Sequence, residues 1–368
     1  MSAWYEIENI EKIDSPALVI YPERVLQNIQ EMIRVAGNPS KLQPHVKTYK
    51  MAEVVAMQMQ HGISKFKFAT IAEGEMLGIS GVEKALMAYQ PVGPKVKRLL
   101  DLTLKFPETQ FAALVDDPFA AKNIAEIFKK NDQVLDVFLD LDVGMHRTGI
   151  PADEKAFELY LLCKSLDGIN PVGLHVYDGH IRDTDLELRK SKCDASFETA
   201  EKLALKIENL EGEKLIIVAG GSPTFPIHGK RKGVLASPGT CLFWDWGYGN
   251  KFPDQKFQHS ALVVSRVISK MGCDKICVDL GHKSIAAEQP FPRVHFFNLP
   301  NAKQIGQSEE HLVLDVGDNT DLEIGKVLYG VPQHICPTCA LYEKAYVVEN
   351  GKVEKEWRVI ARDRKITI

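Results

Sequence analysis

Short apolar runs alternate with amphipathic stretches through the first two thirds of the chain. In Pro22–Ala36, Val25, Ile29, Met32 and Ile33 recur every three or four residues, which predicts a helix. Further helices are predicted at Met51–His61, Ala72–Ile79, Pro94–Lys105, Pro118–Lys130 and Ala195–Leu210. The runs between them are typical of buried parallel strands: Leu42–Val46, Phe66–Thr70, Ala85–Tyr89, Phe111–Val115, Leu135–Leu139, Val172–Val176 and Ile216–Ala219. Repeated strand–helix units predict a (β/α)8 TIM-type barrel over residues 22–248.

The pattern changes beyond the barrel. Short runs separated by turns follow, including the pair Asn350-Gly351 that is typical of a β-hairpin. We expect a C-terminal, mainly β domain over residues 249–368, and the extended run Ser15–Tyr21 predicts that residues 1–21 join it. Its predicted strands are Ser260–Ile268, Lys275–Leu280, Arg293–Asn298, Glu310–Val316, Lys326–Tyr329, Ala345–Glu349 and Trp357–Arg362.

Composition is that of an ordinary globular enzyme. The chain has 368 residues, 45% hydrophobic and 26% charged, enough for two domains. Its formal net charge of −4 argues against a nucleic-acid partner. No apolar run reaches the roughly 20 residues that span a membrane. An acidic N-terminus without a signal core, and an odd number of cysteines, seven, predict a cytoplasmic protein with reduced thiols.

A basic cluster, Pro44-His-Val-Lys-Thr-Tyr-Lys50, follows the first predicted barrel strand. The carboxyl ends of barrel strands carry the active site, and a desolvated lysine there loses its proton easily, as a Schiff-base nucleophile requires. Lys47 is the candidate. Spacing alone favours the simpler interpretation of a solvated basic loop.

Two turns of small residues lie near the end of the predicted barrel. Gly220-Gly221-Ser222 follows its last clear strand, and Ala236-Ser-Pro-Gly-Thr240 comes soon after. Backbone N–H groups and hydroxyls in such turns bind phosphate, and barrels often place a phosphate site there. Each turn alone is a weak signal because Gly-Ser-Pro turns are common.

The segment Gln333-His-Ile-Cys-Pro-Thr-Cys339 brings one histidine and two cysteines together. If it is a strand, His334 and Cys336 share a face and could bind a soft divalent ion such as Zn²⁺. A closed structural site needs four protein ligands, so an open site is the better hypothesis. Ordinary packing in the β domain is the alternative, and the role of Cys339 is left open between a third ligand, a redox-sensitive thiol and a packed residue.

Two further motifs follow apolar strands: Leu141-Asp-Val-Gly-Met-His-Arg-Thr-Gly149 and Gly173-Leu-His-Val-Tyr-Asp-Gly-His180. We expect Arg147, Tyr177 and His180 to project at the same rim. His180 is a candidate general base because an imidazole titrates near neutrality.

These motifs together resemble the D-threonine aldolase and D-serine dehydratase family, pyridoxal-phosphate enzymes of the alanine-racemase barrel type. The similarity covers nearly the whole chain. It runs through Asp14-Ser-Pro-Ala-Leu-Val-Ile20, Pro44-His-Val-Lys-Thr48, Ala69-Thr-Ile-Ala-Glu-Gly-Glu75, Asp142-Val-Gly-Met-His-Arg-Thr-Gly149, Tyr177-Asp-Gly-His180, Gly220-Gly-Ser-Pro-Thr224, Pro238-Gly-Thr240 and His334-Ile-Cys336. So many matches in order are specific for the family, although not for one substrate.

The resemblance implies a set of site residues. Lys47 matches the lysine that holds pyridoxal 5'-phosphate, and Arg147 and Tyr177 look like cofactor contacts. The phosphate would lie on Gly220, Gly221, Ser222, Gly239 and Thr240. A divalent metal, Zn²⁺ or Mn²⁺, on His334 and Cys336 would bind the β-hydroxyl of a D-amino acid. A homodimer is likewise implied.

The resemblance implies either retro-aldol cleavage or dehydration, because a bound metal both acidifies a hydroxyl and makes it a better leaving group. His180 suits the first as the base for the hydroxyl, and a free Lys47 suits the second. Cys336 favours dehydration, since the family's aldolases often have a carboxylate at this position. We expect aldolase chemistry on a D-β-hydroxy amino acid, mainly because of His180. A racemase would not need the metal pair, a cofactor carrier would lack the β domain, and a structural protein would leave Lys47 unmodified.

Overall fold

The computed structural model describes residues 3–317 and 322–368. The strands are β1 (Ala17–Ile20), β2 (Lys65–Phe68), β3 (Lys84–Met87), β4 (Gln110–Val115), β5 (Leu135–Asp142), β6 (Ile150–Pro151), β7 (Ile169–Val176), β8 (Ile216–Ala219), β9 (Val234–Ala236), β10 (Ala261–Met271), β11 (Lys275–Val278), β12 (Val294–Phe296), β13 (Lys303–Gln307), β14 (Leu312–Asp315), β15 (Val327–Pro332), β16 (Lys344–Glu349) and β17 (Lys352–Arg358).

The helices are α1 (Pro22–Ala36), α2 (Ala52–Met59), α3 (Ile71–Ile79), α4 (Pro94–Lys105), α5 (Pro118–Lys129), α6 (Glu154–Ser165), α7 (Leu186–Glu211), α8 (Phe225–His228), α9 (Trp246–Lys251) and α10 (Ile335–Cys339). Within the described residues, none of them combines the length and the hydropathy that crossing a membrane requires.

The chain divides into two compact units that interleave in sequence. One contains residues up to Gln30, Thr48–Val54 and Thr240–Arg362, and the other contains Glu31–Lys47, Val55–Gly239 and Asp363–Ile368. The domain boundaries expected after residues 21 and 248 stay a prediction.

The second unit is a parallel barrel. Its strands follow the order β2-β3-β4-β5-β7-β8-β9, with β6 paired to β5. Parallel bridges from Leu42 to Ala236 and from His45 to Lys67 close the ring. Inside it, Leu86, Ala112, Leu114, Phe138 and Val218 form a buried cluster, so the barrel is filled by side chains rather than open. The predicted barrel is therefore confirmed.

Local sequence sets the ends of the barrel helices. Thr70 and Glu73 form a reciprocal capping box at the start of α3. Asp117 accepts hydrogen bonds from two backbone N–H groups at the start of α5, where Pro118 takes the first helical position. Because each of these helices begins soon after a strand, the strand ends are held at one rim.

The first unit is mainly β, as expected for the C-terminal domain. Its sheet follows the order β13-β14-β11-β10-β1-β16-β17, and β15 pairs with β10 and β12. β1 lies between β10 and β16, so the N-terminal extended run belongs to this sheet. Two apolar clusters fill the unit; one gathers around Val278, Leu312 and Leu328, and the other around Val19, Leu262 and Val331.

Some predicted elements differ in detail. Leu42–Val46 is not a regular strand and contributes only the two bridges, because a 3₁₀ turn begins at Val46. The elements that the pattern missed include β9, which is three residues long, α6, which follows a polar loop, and the short elements β6, β13, α8 and α9. Helices α1 and α4 have the predicted bounds.

Candidate active site

A cavity of about 280 Å³ lies at the carboxyl ends of the barrel strands. It is lined by basic, imidazole and aromatic side chains together with small residues: His45, Lys47, Lys67, Ala69, Ala88, Tyr89, Arg147, Thr148, His175 and Tyr177. Its volume is close to the lower end, about 300 Å³, of ordinary small-molecule pockets. Three sequence candidates, Lys47, Arg147 and Tyr177, are brought together here.

Lys47 lies in the short 3₁₀ turn Val46–Thr48. Its backbone N–H donates to Nδ1 of His45 at 3.2 Å, which fixes the turn that directs the lysine into the cavity. Its side chain is exposed. The role of Lys47 as the Schiff-base lysine stays a prediction.

The buried amine of the cavity is Lys67, which the sequence analysis did not single out. Lys67 is 3% exposed, and its Nζ lies 3.1 Å from Nε2 of His175. Nδ1 of His175 lies 2.6 Å from Oδ1 of Asp140. Burial, then the charges of Lys47 and Arg147, lower the pKa of Lys67 to about 7. Strand β2 reads Lys-Phe-Lys-Phe, and this alternation does not show by itself which lysine lies inside the barrel.

Arg147 and Tyr177 are neighbours across the cavity. The guanidinium carbon of Arg147 lies 4.8 Å from the centroid of the Tyr177 ring, in a cation–π contact. Arg147 follows a turn in which Asp142 accepts hydrogen bonds from the backbone N–H groups of Gly144 and His146. The pair can present a cation and an aromatic face to a bound ring.

The turn after β8 is closely packed. Gly220 has φ +77°, and a Cβ there would lie 2.6 Å from the His228 ring, so only glycine fits. A Cβ on Gly221 would lie 3.0 Å from Tyr177. The backbone N–H of Gly239 donates to Oγ of Ser222 at 3.2 Å, which joins the two small-residue turns. Backbone N–H groups and hydroxyls in such turns bind phosphate, and the role of these residues as a phosphate cradle stays a prediction.

Asp178, Cys193 and His228 form a buried group behind this turn. Their potential ligand atoms all lie within 4.8 Å of one another, so among the described residues this is a possible metal site that the sequence analysis missed. Hydrogen bonds already join them: Nε2 of His228 lies 2.8 Å from Oδ2 of Asp178. Burial and the charge of Asp178 raise the pKa of the Cys193 thiol, which disfavours the thiolate that a metal needs.

His334 and Cys336 lie in the mainly β unit. The segment is not a strand: His334 is the extended residue before α10, and Cys336 lies inside that helix, because the segment turns at once after β15. Their side chains are nevertheless hydrogen-bonded. Nδ1 of His334 lies 2.6 Å from Oε1 of Glu288.

The surroundings of Cys336 favour a thiolate. The Thr48 and Thr240 hydroxyls lie 3.1 and 3.3 Å from its Sγ. Burial raises the pKa of Cys336, but the hydrogen bond and charge of His334 outweigh it, and the net pKa is lowered. Burial lowers the pKa of His334, but Cys336 and Glu288 outweigh this effect and raise the pKa to about 9. Zn²⁺ binds a thiolate and a neutral imidazole, so an ion on this pair would displace the proton of His334. Cys339, in contrast, is fully buried, and burial raises the pKa of its thiol well above the usual value.

Two further predicted residues, His180 and Thr240, also lie outside the lining of the cavity. His180 is exposed and is not among the lining residues; its ring lies against Gly144, where a Cβ would come within 2.9 Å of Nε2. Thr240 is buried beside Cys336. The base role of His180 and the phosphate contact of Thr240 stay predictions.

Comparison with known proteins agrees with this geometry. The family model of the alanine racemase N-terminal domain matches residues 20–245. The chain belongs to the alanine-racemase N-terminal-domain family. A second model, for a serine dehydratase domain, matches residues 260–348. Membership supports pyridoxal phosphate as the cofactor of this alanine-racemase-family chain.

Relatives of this family member include an aldolase and a dehydratase. A D-threonine aldolase from Arthrobacter sp. is 26% identical over 360 residues, covering 96% of this chain and 94% of the relative. A D-threo-3-hydroxyaspartate dehydratase from Delftia sp. (strain HT23) is 30% identical over 362 residues, covering 90% and 93%. The crystal structure of D-threonine aldolase from Filomicrobium marinum has a TM-score of 0.88 and 25% identity, covering 98% and 99%. Both lyase reactions thus occur among similar proteins.

Proposed function

We propose that this protein is a pyridoxal-phosphate- and divalent-metal-dependent lyase that cleaves D-β-hydroxy amino acids, with D-threonine aldolase-type retro-aldol chemistry. The position of Lys47 carries this conclusion, because its amine lines the cavity at the carboxyl ends of the barrel strands. The similarity to D-threonine aldolases from two organisms supports the aldolase reaction.

The cavity residues fit the cofactor. The Lys47 amine would bind its aldehyde, and the cradle formed by the two small-residue turns, at Gly220, Gly221, Ser222 and Gly239, would bind its phosphate; the hydrogen bond from Gly239 to Ser222 holds these turns together. Thr240 is proposed as a further phosphate contact. Arg147 and Tyr177 would orient the ring. When bound, pyridoxal phosphate supplies an electron sink for the bond that breaks at Cα.

His334 and Cys336 are the proposed metal ligands. They fit a divalent ion by their donor chemistry, and the side chain of His334 is 39% exposed, so an ion there can be reached by a substrate. The Asp178, Cys193 and His228 group is at most 2% exposed, which leaves a substrate no access. We assign the ion, Zn²⁺ or Mn²⁺, to the first pair, where it would lower the pKa of the substrate's β-hydroxyl. His180 is the proposed base for that proton.

Dehydration to a 2-oxo acid and ammonia is the second candidate. It is favoured by the cysteine at position 336 and by the similarity to a dehydratase that is 30% identical. In that reaction the free Lys47 amine would remove the Cα proton while the hydroxyl departs.

Product analysis distinguishes the two reactions. Protein loaded with pyridoxal phosphate and Mn²⁺ or Zn²⁺ is incubated with D-threonine, with L-threonine and the Lys47→Ala variant as controls. Glycine and acetaldehyde from the D isomer alone support the aldolase. Formation of 2-oxobutanoate and ammonia supports the dehydratase, and substantial turnover by Lys47→Ala contradicts the role of Lys47.

Assembly and location complete the proposal. We expect a cytoplasmic homodimer, as the family resemblance implies. Light scattering of the purified protein tests the dimer, and microscopy of a fluorescent fusion tests the location.

A further inference from the structure

The cavity contains a second lysine that the proposed function leaves unused. Lys67 is the third residue of β2, and its neighbour across the barrel closure is His45. It lines the same cavity as Lys47, yet it is buried while Lys47 is exposed. Two amines in one cavity repel each other when both are protonated.

A hydrogen-bonded chain holds the Lys67 amine. The Asp140 carboxylate can only accept, so Nδ1 of His175 donates to it across 2.6 Å. Nε2 of neutral His175 then carries a lone pair, and Lys67 donates one N–H to it across 3.1 Å. Asp140 and His175 are each 4% exposed. These hydrogen bonds therefore fix the Lys67 amine, and the negative charge of Asp140 lies at the far side of His175.

The charges around Lys67 are nearly balanced. Burial and the cations Lys47 and Arg147 disfavour its ammonium form, whereas Asp140 and Asp178 favour it. The pKa of Lys67 is about 7 as a result. The titratable and charged groups that face it are His45, Lys47, Asp140, Arg147, His175, Tyr177 and Asp178. An added anion would tip this balance towards the protonated amine.

We propose that Lys67 is a proton-linked anion-binding residue of the cavity, mostly neutral in the ligand-free protein at pH 8 to 9 and protonated when an anionic oxygen of the cofactor or substrate lies there. This inference rests on the proposed function. The buffer supplies the proton, a new N–H bond forms on Nζ, and no other bond changes. Asp140, acting through His175, stabilises the ammonium form.

Calorimetry measures this proton directly. Pyridoxal phosphate is titrated into the cofactor-free protein at pH 8 to 9, in two buffers with different heats of ionisation, and the difference gives the protons taken up. Wild type should take up about one proton more than Lys67→Met, since the empty-site amine is mostly neutral at that pH. Lys65→Met, on the same strand, is the matched control; Lys65 donates instead to the Ser40 carbonyl at 3.2 Å. Equal uptake by wild type and Lys67→Met overturns the inference.

A second variant, Lys67→Arg, keeps the inference testable if Lys67→Met does not fold. Lys67→Arg is protonated with and without ligand, so it should bind the cofactor but lose the extra proton uptake. Retained uptake in Lys67→Arg contradicts the inference.

Adding D-threonine to the loaded protein separates the two anion sources. Uptake at the cofactor step assigns the anion to the cofactor, uptake at the amino-acid step assigns it to the substrate carboxylate, and uptake at neither step overturns the inference. Absence of the absorbance near about 420 nm that bound pyridoxal phosphate gives overturns the proposed function as well, whereas normal absorbance without Lys67-dependent uptake overturns only the role of Lys67.

Discussion

The hydroxyl of Thr224 donates a 2.7 Å hydrogen bond to Oδ1 of Asp178, and both residues are at most 2% exposed. The same hydroxyl oxygen accepts the backbone N–H of Gly221 at 3.3 Å. Asp178 directly follows Tyr177, so one carboxylate joins the cavity wall to the small-residue turn after β8. This arrangement links a buried ionic group to the proposed phosphate cradle.

Thr224→Val should weaken binding of pyridoxal phosphate. The change removes the hydroxyl while keeping the side-chain shape, and it leaves Oδ1 of Asp178 without this partner, at a cost of about 1–3 kcal/mol. We expect a dissociation constant about tenfold higher for pyridoxal phosphate and an unchanged one for pyridoxal, which lacks the phosphate. Absorbance titration of the cofactor-free protein measures both.

Thr199→Val is the matched control, because the Thr199 hydroxyl donates to the Ser196 carbonyl on an exposed face of α7. Equal weakening of both ligands in Thr224→Val would mean that the hydroxyl supports the fold rather than the phosphate cradle.

Metal content should depend on Cys336 and not on Cys193. Cys336→Ala removes a thiol whose pKa is lowered by His334. Cys193→Ala removes a thiol whose pKa is raised by burial. A metal competes with the proton for the thiolate, so we expect stoichiometric zinc or manganese in wild type and Cys193→Ala, and little in Cys336→Ala. Elemental analysis after dialysis measures it, and chelation should remove the activity that either ion restores. The reverse pattern would place the ion at Asp178 and His228.

The sequence predicts a residue of this site only where the neighbouring residues in the sequence indicate its position. Lys47 and the turn at Gly220 follow apolar runs, so the barrel rule places them at one rim. Lys67 could not be found in this way, because whether its side chain enters the barrel depends on the pairing register of β2.

Other site residues were not predicted, because they meet through contacts between distant parts of the sequence. Asp178 meets His228 across 50 residues of chain, and no short motif encodes that contact. The segment at His334, which the sequence analysis considered as a strand, is the start of a helix of five residues, and five residues are too few for periodicity to separate the two structures.

The Glu75 carboxylate should stabilise the fold above pH 5. Its side chain is fully buried and accepts hydrogen bonds from Lys105 and the backbone N–H groups of Thr367 and Ile368, so it holds the C-terminal residues. Burial raises the pKa of Glu75. The hydrogen bonds from Thr367, Ile368 and Lys105 outweigh this effect and lower the pKa from 4.5 to about 2.

Because the folded state holds the proton more weakly, this contribution is complete above the unfolded pKa and is lost as the pH falls towards 2. We expect Glu75→Gln to lower the free energy of unfolding by about 3 kcal/mol at pH 7, with the difference vanishing near pH 2. Denaturant unfolding at a series of pH values measures it, with the exposed Glu201→Gln as control. A difference that does not change with pH would rule out the charge as its cause.

Lys67→Met should stabilise the cofactor-free protein near neutral pH. The pKa of Lys67 is about 7 in the fold, against 10.5 as its ordinary value. Between these values the unfolded chain binds the proton that the folded chain has released, so wild-type stability rises with pH across this window.

Removing the amine abolishes a penalty of at most about 5 kcal/mol and loses the hydrogen bond to His175, worth about 1 kcal/mol. We therefore expect a gain of about 3 kcal/mol at pH 7 that fades by pH 10, while Lys65→Met stays within about 0.5 kcal/mol of wild type. Urea unfolding of the three proteins at pH 7, 8.5 and 10 measures it. A Lys67→Met protein that is less stable at pH 7, or equally shifted at all three values, would show that Lys67 carries its proton in the empty cavity.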